Sequence, residues 1–224
     1  MISDNLQKVM QEIQNSCALV SRQAAEVELI AVTKSVTTRE MLELYHLGVT
    51  NFAENRADVL LEKQKELASY PGIIWHFIGN LQRRKVKDII NEIDYFHALD
   101  SYKLAKEIQK RAMKKIRCFV EVNVSGEESK HGFQPNEVLA FIQSIQDFDK
   151  IEVVGLMMMA PYDSTTEEQI ALFTQLAELK ETVEKAAYKK APCHQLSMGM
   201  SNDFSQAIQA GATQIRIGTS LFKE

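Results

Sequence analysis

Leu29-Ile30-Ala31-Val32-Thr33-Lys34 is a short apolar run that ends in a lysine. A run of this length, rich in β-branched residues, reads as a strand buried on both faces, the habit of parallel sheets. The residues that follow, Ser35-Val36-Thr37-Thr38-Arg39-Glu40, read as a turn and a helix start, because Thr37 with Glu40 three positions on fits a capping box. Lys34 therefore falls where a parallel strand has ended and its crossover helix has not begun. That edge is where α/β sheets and barrels place their chemistry. A lysine there, set against an apolar floor, can become a free amine nucleophile through desolvation. The ordinary alternative is a solvated loop lysine, so the rest of the chain has to decide.

Outward from this run the same unit repeats. Apolar segments at Val27–Thr33, Val49–Glu54, Ile73–Ile78, Ile93–Leu99, Ile116–Val124, Ile151–Met157, His194–Met198 and Thr213–Ile217 read as strands. Between them lie helical patterns: Met41, Leu42 and Tyr45 up to a stop at Gly48, then Arg56–Leu67 and Leu81–Ile90. Further helices are a segment capped by Asp100 or Ser101, one opening near Pro135, one behind the capping box Thr165 and Glu168, and Ser201–Ala210 stopped by Gly211. Leu6, Val9, Met10, Ile13, Cys17 and Val20 add an amphipathic helix over about residues 3–22. Strict strand–helix alternation implies a parallel sheet with right-handed crossovers. Eight units in 224 residues, with no linker or repeat, point to one domain spanning 1–224. The fold class is α/β, a single closed (β/α)₈ TIM barrel. Little chain follows the eighth strand, so the N-terminal helix is expected to cover the last gap. A doubly wound open sheet is the alternative, and it accounts poorly for polar residues inside the strands.

Composition narrows the function. A net charge of −4 gives no nucleic-acid footprint, and no long uncharged apolar segment offers a membrane span. The N-terminus reads as no signal peptide, and Cys17, Cys118 and Cys193 form neither a metal spacing nor a disulfide framework. A cytoplasmic monomer is the expectation.

The polar strand residues carry the rest. Glu121 and Asn123 alternate with Val120, Val122 and Val124, and Arg216 alternates with Ile215 and Ile217, so the polar set points into the barrel. Buried charges need a partner or a ligand, and an internal Glu121–Arg216 ion pair is the competing explanation. After the seventh and eighth strands come Ser197-Met198-Gly199-Met200-Ser201 and Gly218-Thr219-Ser220. Loops after those two strands, with a serine at a helix start and a glycine, suit a phosphate. A lysine for an aldehyde, an arginine for a ring nitrogen and a phosphate cradle together match pyridoxal 5′-phosphate (PLP). A class I aldolase would use the lysine and the cradle but has no evident need for Arg216.

AVTK, FAEN, HFIGNLQ with Lys85-Val86-Lys87, VNVSGEESKHGF, GLMMMAP, SMGMSNDF and RIGTSLF run in order along nearly the whole chain. Together they resemble the pyridoxal phosphate homeostasis protein family, barrel-only relatives of the alanine racemase N-terminal domain. The resemblance implies Lys34 as the aldimine lysine and Arg216 facing the pyridine nitrogen. It also implies Ser201, Gly218 and Thr219 at the phosphate, Asn55 and His76 near the cofactor, and Met198, Gly199 and Met200 shaping the phosphate loop. Ala53, in place of an expected glycine, and Arg83-Arg84 depart from the pattern without touching Lys34 or Arg216. The implied role is binding PLP for its cellular balance, with PLP-dependent enzymes as recipients and no catalytic residue assigned. A racemase-like PLP enzyme is the alternative, and Tyr162 would be its candidate second base.

Overall fold

The computed structural model describes residues 1–128 and 130–223; Ser129, inside the VNVSGEESKHGF run, and Glu224, the end of the expected domain, lie outside the described residues. Eight parallel strands close into a barrel in sequence order: β1 (Glu28–Val32), β2 (Asn51–Glu54), β3 (Ile74–Phe77), β4 (Tyr95–Leu99), β5 (Ile116–Glu121), β6 (Ile151–Met157), β7 (Gln195–Ser197) and β8 (Gln214–Ile217). Closure comes from β1 pairing with β8, with Ile30 opposite Arg216, which rules out the open-sheet alternative.

The helices are α1 (Ile2–Ala18), α2 (Thr38–His46), α3 (Ala57–Glu66), α4 (Val86–Ile89), α5 (Tyr102–Arg111), α6 (Val138–Ser144), α7 (Thr166–Lys185), α8 (Phe204–Gln209) and α9 (Thr219–Phe222). The two expected capping boxes form. Thr37 N–H donates to Glu40 Oε2 at 2.9 Å, and Glu168 N–H donates to Thr165 Oγ1 at 3.2 Å. Ser101, not Asp100, caps α5, its hydroxyl accepting from Leu104 N–H at 3.1 Å. Helix α1 buries Leu6, Val9, Ile13 and Cys17 against α8 and α9 and ends earlier than its pattern suggests. Met10 and Val20, read as inward, are exposed. Asn5 Nδ2 donates to Leu221 O at 3.1 Å and Lys223 O at 2.9 Å, so α1 covers the last gap as expected.

Most sequence-based strands run a residue or two long, because alternation persists where pairing has stopped. Strand β5 stops at Glu121; Val122 instead bridges to Phe133, and Asn123 turns back to accept from Gly126 N–H at 3.1 Å. Asn123 therefore braces the loop after β5. The helix expected over Leu81–Ile90 breaks into a 3₁₀ turn at Arg83–Lys85, the single turn α4 and a second 3₁₀ turn at Ile90–Glu92. Ser201 does not open α8: the cap is Asp203, and Ser201 sits in the turn before it. Among the described residues, no helix is long and apolar enough to cross a membrane.

Candidate functional site

The C-terminal ends of β1, β7 and β8 form one corner of the barrel mouth. Lys34 leaves it directly after β1. Its side chain is exposed and makes no ion pair or hydrogen bond among the described residues, so the burial expected around its amine is absent. What is fixed is the backbone beneath it. Lys63 Nζ on α3 donates to Thr33 O at 2.7 Å and to Glu54 Oε1 at 2.5 Å, and Thr33 Oγ1 donates to the same carboxylate oxygen at 2.7 Å. This buried knot ties the ends of β1 and β2 together. Inside the barrel Ile30, Val32, Ala53 and Ile78 pack as a separate apolar cluster, which is the floor below the mouth.

Arg216 is buried, and its guanidinium reaches the same end of the barrel. Nη1 donates to Ser197 Oγ at 2.5 Å and Nη2 to Met158 O at 3.1 Å, at the ends of β7 and β6. Burial lowers its pKa to about 10, opposed by the carboxylates of Asp203 and Glu121. It stays charged at neutral pH. The ion pair with Glu121 that competed as an explanation does not form among the described residues. Glu121, 5% exposed, has an Oε2 with no hydrogen-bond partner among the described residues. Burial and the neighbouring Asp100 raise its pKa to about 7, against His131 and Arg216.

The β7 and β8 loops meet through one hydrogen bond. Ser220 N–H, in the first turn of α9, donates to Ser201 Oγ at 3.2 Å. The leading amides of such a turn have no acceptor within the helix; Ser220 N–H finds Ser201, and Leu221 N–H closes the turn on Gly218 O at 2.9 Å. Gly199 takes φ +97°, and a Cβ there would meet Ala207 Cβ at 2.7 Å; only glycine lets this loop pass so close to α8. A Cβ at Gly218 would crowd Val32 O at 3.2 Å, at the end of the strand that precedes Lys34. Met198 is fully buried behind the loop, and Gly199 O accepts from Arg216 N–H at 2.9 Å. Asp203 Oδ1 takes Met200 N–H at 2.6 Å and fixes the turn that carries Ser201.

The structure thus brings Lys34, Met198, Gly199, Ser201, Arg216, Gly218 and Thr219 to one corner. Asn55 lies exposed just past β2, on the neighbouring loop. His76 lies deeper. Both its ring nitrogens are occupied, by His97 and by Asn51, each at 2.8 Å, and Tyr95 stacks on it at 4.6 Å. His97 and Ser197 then separate it from Arg216. Sequence reasoning passed over His97 and Asn51. The signal available was a period of two, Tyr95 and His97 alternating with Phe96 and Ala98.

The fold defines a class, a closed eight-stranded α/β barrel, and its mouth gathers the candidate residues at the ends of β1, β7 and β8. The family model described as "Alanine racemase, N-terminal domain" matches residues 9–224. A pyridoxal phosphate homeostasis protein of Aquifex aeolicus (strain VF5) is 38% identical over 224 residues, covering 99% of this chain and 97% of that one. A human protein of the same name is 34% identical over 233 residues, covering 98% and 85%. PipY of Synechococcus elongatus PCC7942, solved with PLP bound, superposes with a TM-score of 0.85 at 29% identity, covering 99% of this chain and 100% of that chain. An alanine racemase of Clostridium difficile 630 shares the fold at a TM-score of 0.76 and 16% identity, 57% of its chain being covered. The chain belongs to the family of pyridoxal phosphate homeostasis proteins, built on the alanine racemase N-terminal domain.

Proposed function

We propose that this chain binds PLP at the mouth, with Lys34 as its covalent attachment point, and serves the cofactor's balance in the cytoplasm without efficient turnover of amino acids. The observation that carries the reading is the meeting at one corner of an exposed lysine, a buried guanidinium and the Ser201–Gly218–Thr219 cradle. The residues fit the group: Lys34 offers an exposed amine, Arg216 a buried cation, and Ser201, held by Ser220 N–H beside Gly218, a hydroxyl for a phosphate. The naming of the relatives and the bound PLP of PipY support it.

When bound, the cofactor supplies an electrophilic aldehyde and an electron-accepting ring. Lys34's amine has no partner among the described residues and would bond to the aldehyde carbon with loss of water. Arg216 keeps its proton, so it can donate to a ring nitrogen without protonating it. The Ser201 hydroxyl proton and the backbone at Gly218 and Thr219, ahead of the Ser220 amide that Ser201 takes, would be the donors to a phosphate. Inverting an amino acid needs an acid or base on each face of the ring. Tyr162, the one tyrosine expected on a strand-end loop, is 95% exposed and hydrogen-bonded to nothing among the described residues, so nothing aims it at the mouth. PLP-dependent enzymes follow as recipients of the cofactor. The test is the absorbance of purified protein with PLP, then borohydride reduction and peptide mapping. The cofactor's mass belongs on the peptide holding Lys34. A label on Lys85 or Lys130, or no visible band, refutes the reading.

A further inference from the structure

Six polar side chains form one unbroken hydrogen-bonded chain through the barrel core. Asn51 Nδ2 donates to Glu28 Oε1 at 2.6 Å. Asn51 Oδ1 lies 2.8 Å from His76 Nε2, and His76 Nδ1 lies 2.8 Å from His97 Nε2. His97 Nδ1 lies 2.8 Å from Ser197 Oγ, which accepts from Arg216 Nη1 at 2.5 Å. Glu28 is exposed at the N-terminal mouth, and the other five are buried. The chain starts at solvent below the barrel and ends under the candidate site.

Only one arrangement of protons satisfies every link. A guanidinium donates and never accepts, so Ser197 Oγ accepts from Arg216. The serine proton has one other partner among the described residues, His97 Nδ1, which must therefore accept it. A neutral imidazole that accepts at Nδ1 carries its proton on Nε2, so His97 donates to His76 Nδ1. By the same rule His76 donates from Nε2 to Asn51 Oδ1, an acceptor only. Every bond then runs in one direction, from the cation to the carboxylate. Protonating either histidine would set two N–H groups face to face or leave the serine proton without an acceptor. Burial agrees with this. It lowers the pKa of His76 to about 3, with Arg117 adding, and holds His97 well below the usual range, with His76 and Arg216 adding.

We propose that this chain is a positioning relay, which holds the Ser197 oxygen as an acceptor, locks the Arg216 fork beneath the mouth, and makes Asn51, near the far end of the barrel, a contributor to ligand affinity. If the histidines served packing alone, their rings would suffice: Tyr95 stacks on His76 and Phe119 on His97, at 4.6 and 4.5 Å. Packing does not require Asn51, Ser197 and Glu28 in line. The place of Arg216 against a ring nitrogen rests on the function proposed above; the proton arrangement does not.

Two measurements test the relay. Imidazole ¹⁵N spectra of the wild-type chain, without cofactor, should show His76 and His97 both as Nε2–H tautomers, unchanged from about pH 5 to 8. An Nδ1–H tautomer, or titration of either ring in that range, overturns the proposal. The second titrates Ser197→Ala, Ser197→Thr and Asn51→Leu with PLP and with its 1-deaza analogue, which has no ring nitrogen. Ser197→Ala and Asn51→Leu should weaken PLP roughly tenfold and the analogue far less. Ser197→Thr, which keeps the hydroxyl, should bind as wild type. In Ser197→Ala the His76 resonance, two links away, should move. Equal losses for both ligands, or an unmoved His76, assign these residues to packing and overturn the relay. Should Ser197→Ala fail to fold, Asn51→Leu and the wild-type tautomers decide. A wild-type chain that binds no PLP strikes the function proposed above, while the tautomers still decide the relay.

Discussion

Glu121 should make the protein lose stability as pH rises through the mildly acidic range, and Glu121→Gln should abolish that loss. The carboxyl stands on the inner face of β5, 5% exposed, with Oε2 unpartnered among the described residues. Burial is the main cause that moves its pKa from 4.5 to about 7; Asp100 adds, while His131 and Arg216 oppose. The folded pKa lies above the unfolded one, so between the two values the native state holds more protons than the unfolded chain. Unfolding free energy must then fall as pH rises. The contribution is fully present below about pH 4.5 and fully lost above about pH 7. At 1.36 kcal/mol per pKa unit the whole change is roughly 3 kcal/mol. Glutamine keeps the shape and cannot ionise. The assay is urea unfolding of the cofactor-free protein and of Glu121→Gln at pH 5, 6, 7 and 8. The variant's advantage over wild type should grow by about 2–3 kcal/mol from the lowest pH to the highest. Parallel stability curves would refute the reasoning and show that Glu121 finds a partner or water.

Lys63→Met should cost about 3–5 kcal/mol in the same assay, because it strands the buried Glu54 carboxylate, and adding Glu54→Leu should recover most of the loss. A double variant as unstable as the single one would mean that the Thr33 carbonyl, not the ion pair, is what Lys63 stabilises. Ser201→Ala should weaken PLP roughly tenfold or more and leave unphosphorylated pyridoxal unchanged, as measured by absorbance titration; equal losses would remove Ser201 from the phosphate. With PLP-loaded protein and L-amino acids in deuterated water, D-enantiomer should stay at the uncatalysed rate. Fast inversion that Tyr162→Phe abolishes would make this chain a racemase.

The barrel is legible because parallel strands buried on both faces write themselves as short apolar runs, and Ile30, Ala31, Val120, Val153 and Ile215 are buried as that pattern requires. Boundaries are less legible because alternation and pairing are different things. Val122 and Val124 continue the alternation of β5, yet Val122 makes the last bond to β6, its N–H donating to Met157 O at 2.9 Å, and from there the chain pairs with Phe133 instead. In the stretch after β3, Val86, Ile89 and Ile90 are all fully buried, and a broken helix buries them as well as a continuous one. The start of α8 is hard to read for a related reason. Serine and aspartate are both good caps, and Asp203 takes the position while binding Met200 N–H.

In the candidate site, the positions of the strand-end residues are legible because a boundary marks them, Lys34 after β1 and Gly218 after β8, while Met198 and Gly199 after β7 entered through the family resemblance. The interior residues could not, because no spacing joins them. Asn51, His76, His97, Ser197 and Arg216 lie on five different strands, and they meet only once closure and register are set. The register is exacting. His76 sits opposite Ala53 and Tyr95, so a slip of one residue in β3 would turn its ring out to the helices and cut the chain in the middle. A buried polar row of this kind is therefore costly in every arrangement but one. If the only demand on the barrel interior were stability, apolar side chains of similar volume would meet it without that risk. The row ends on Arg216, whose second anchor is the Met158 carbonyl and whose neighbours carry the Ser201 loop. The physical reason to retain it is that a guanidinium held at two points under the mouth keeps one orientation whether or not a ligand is present.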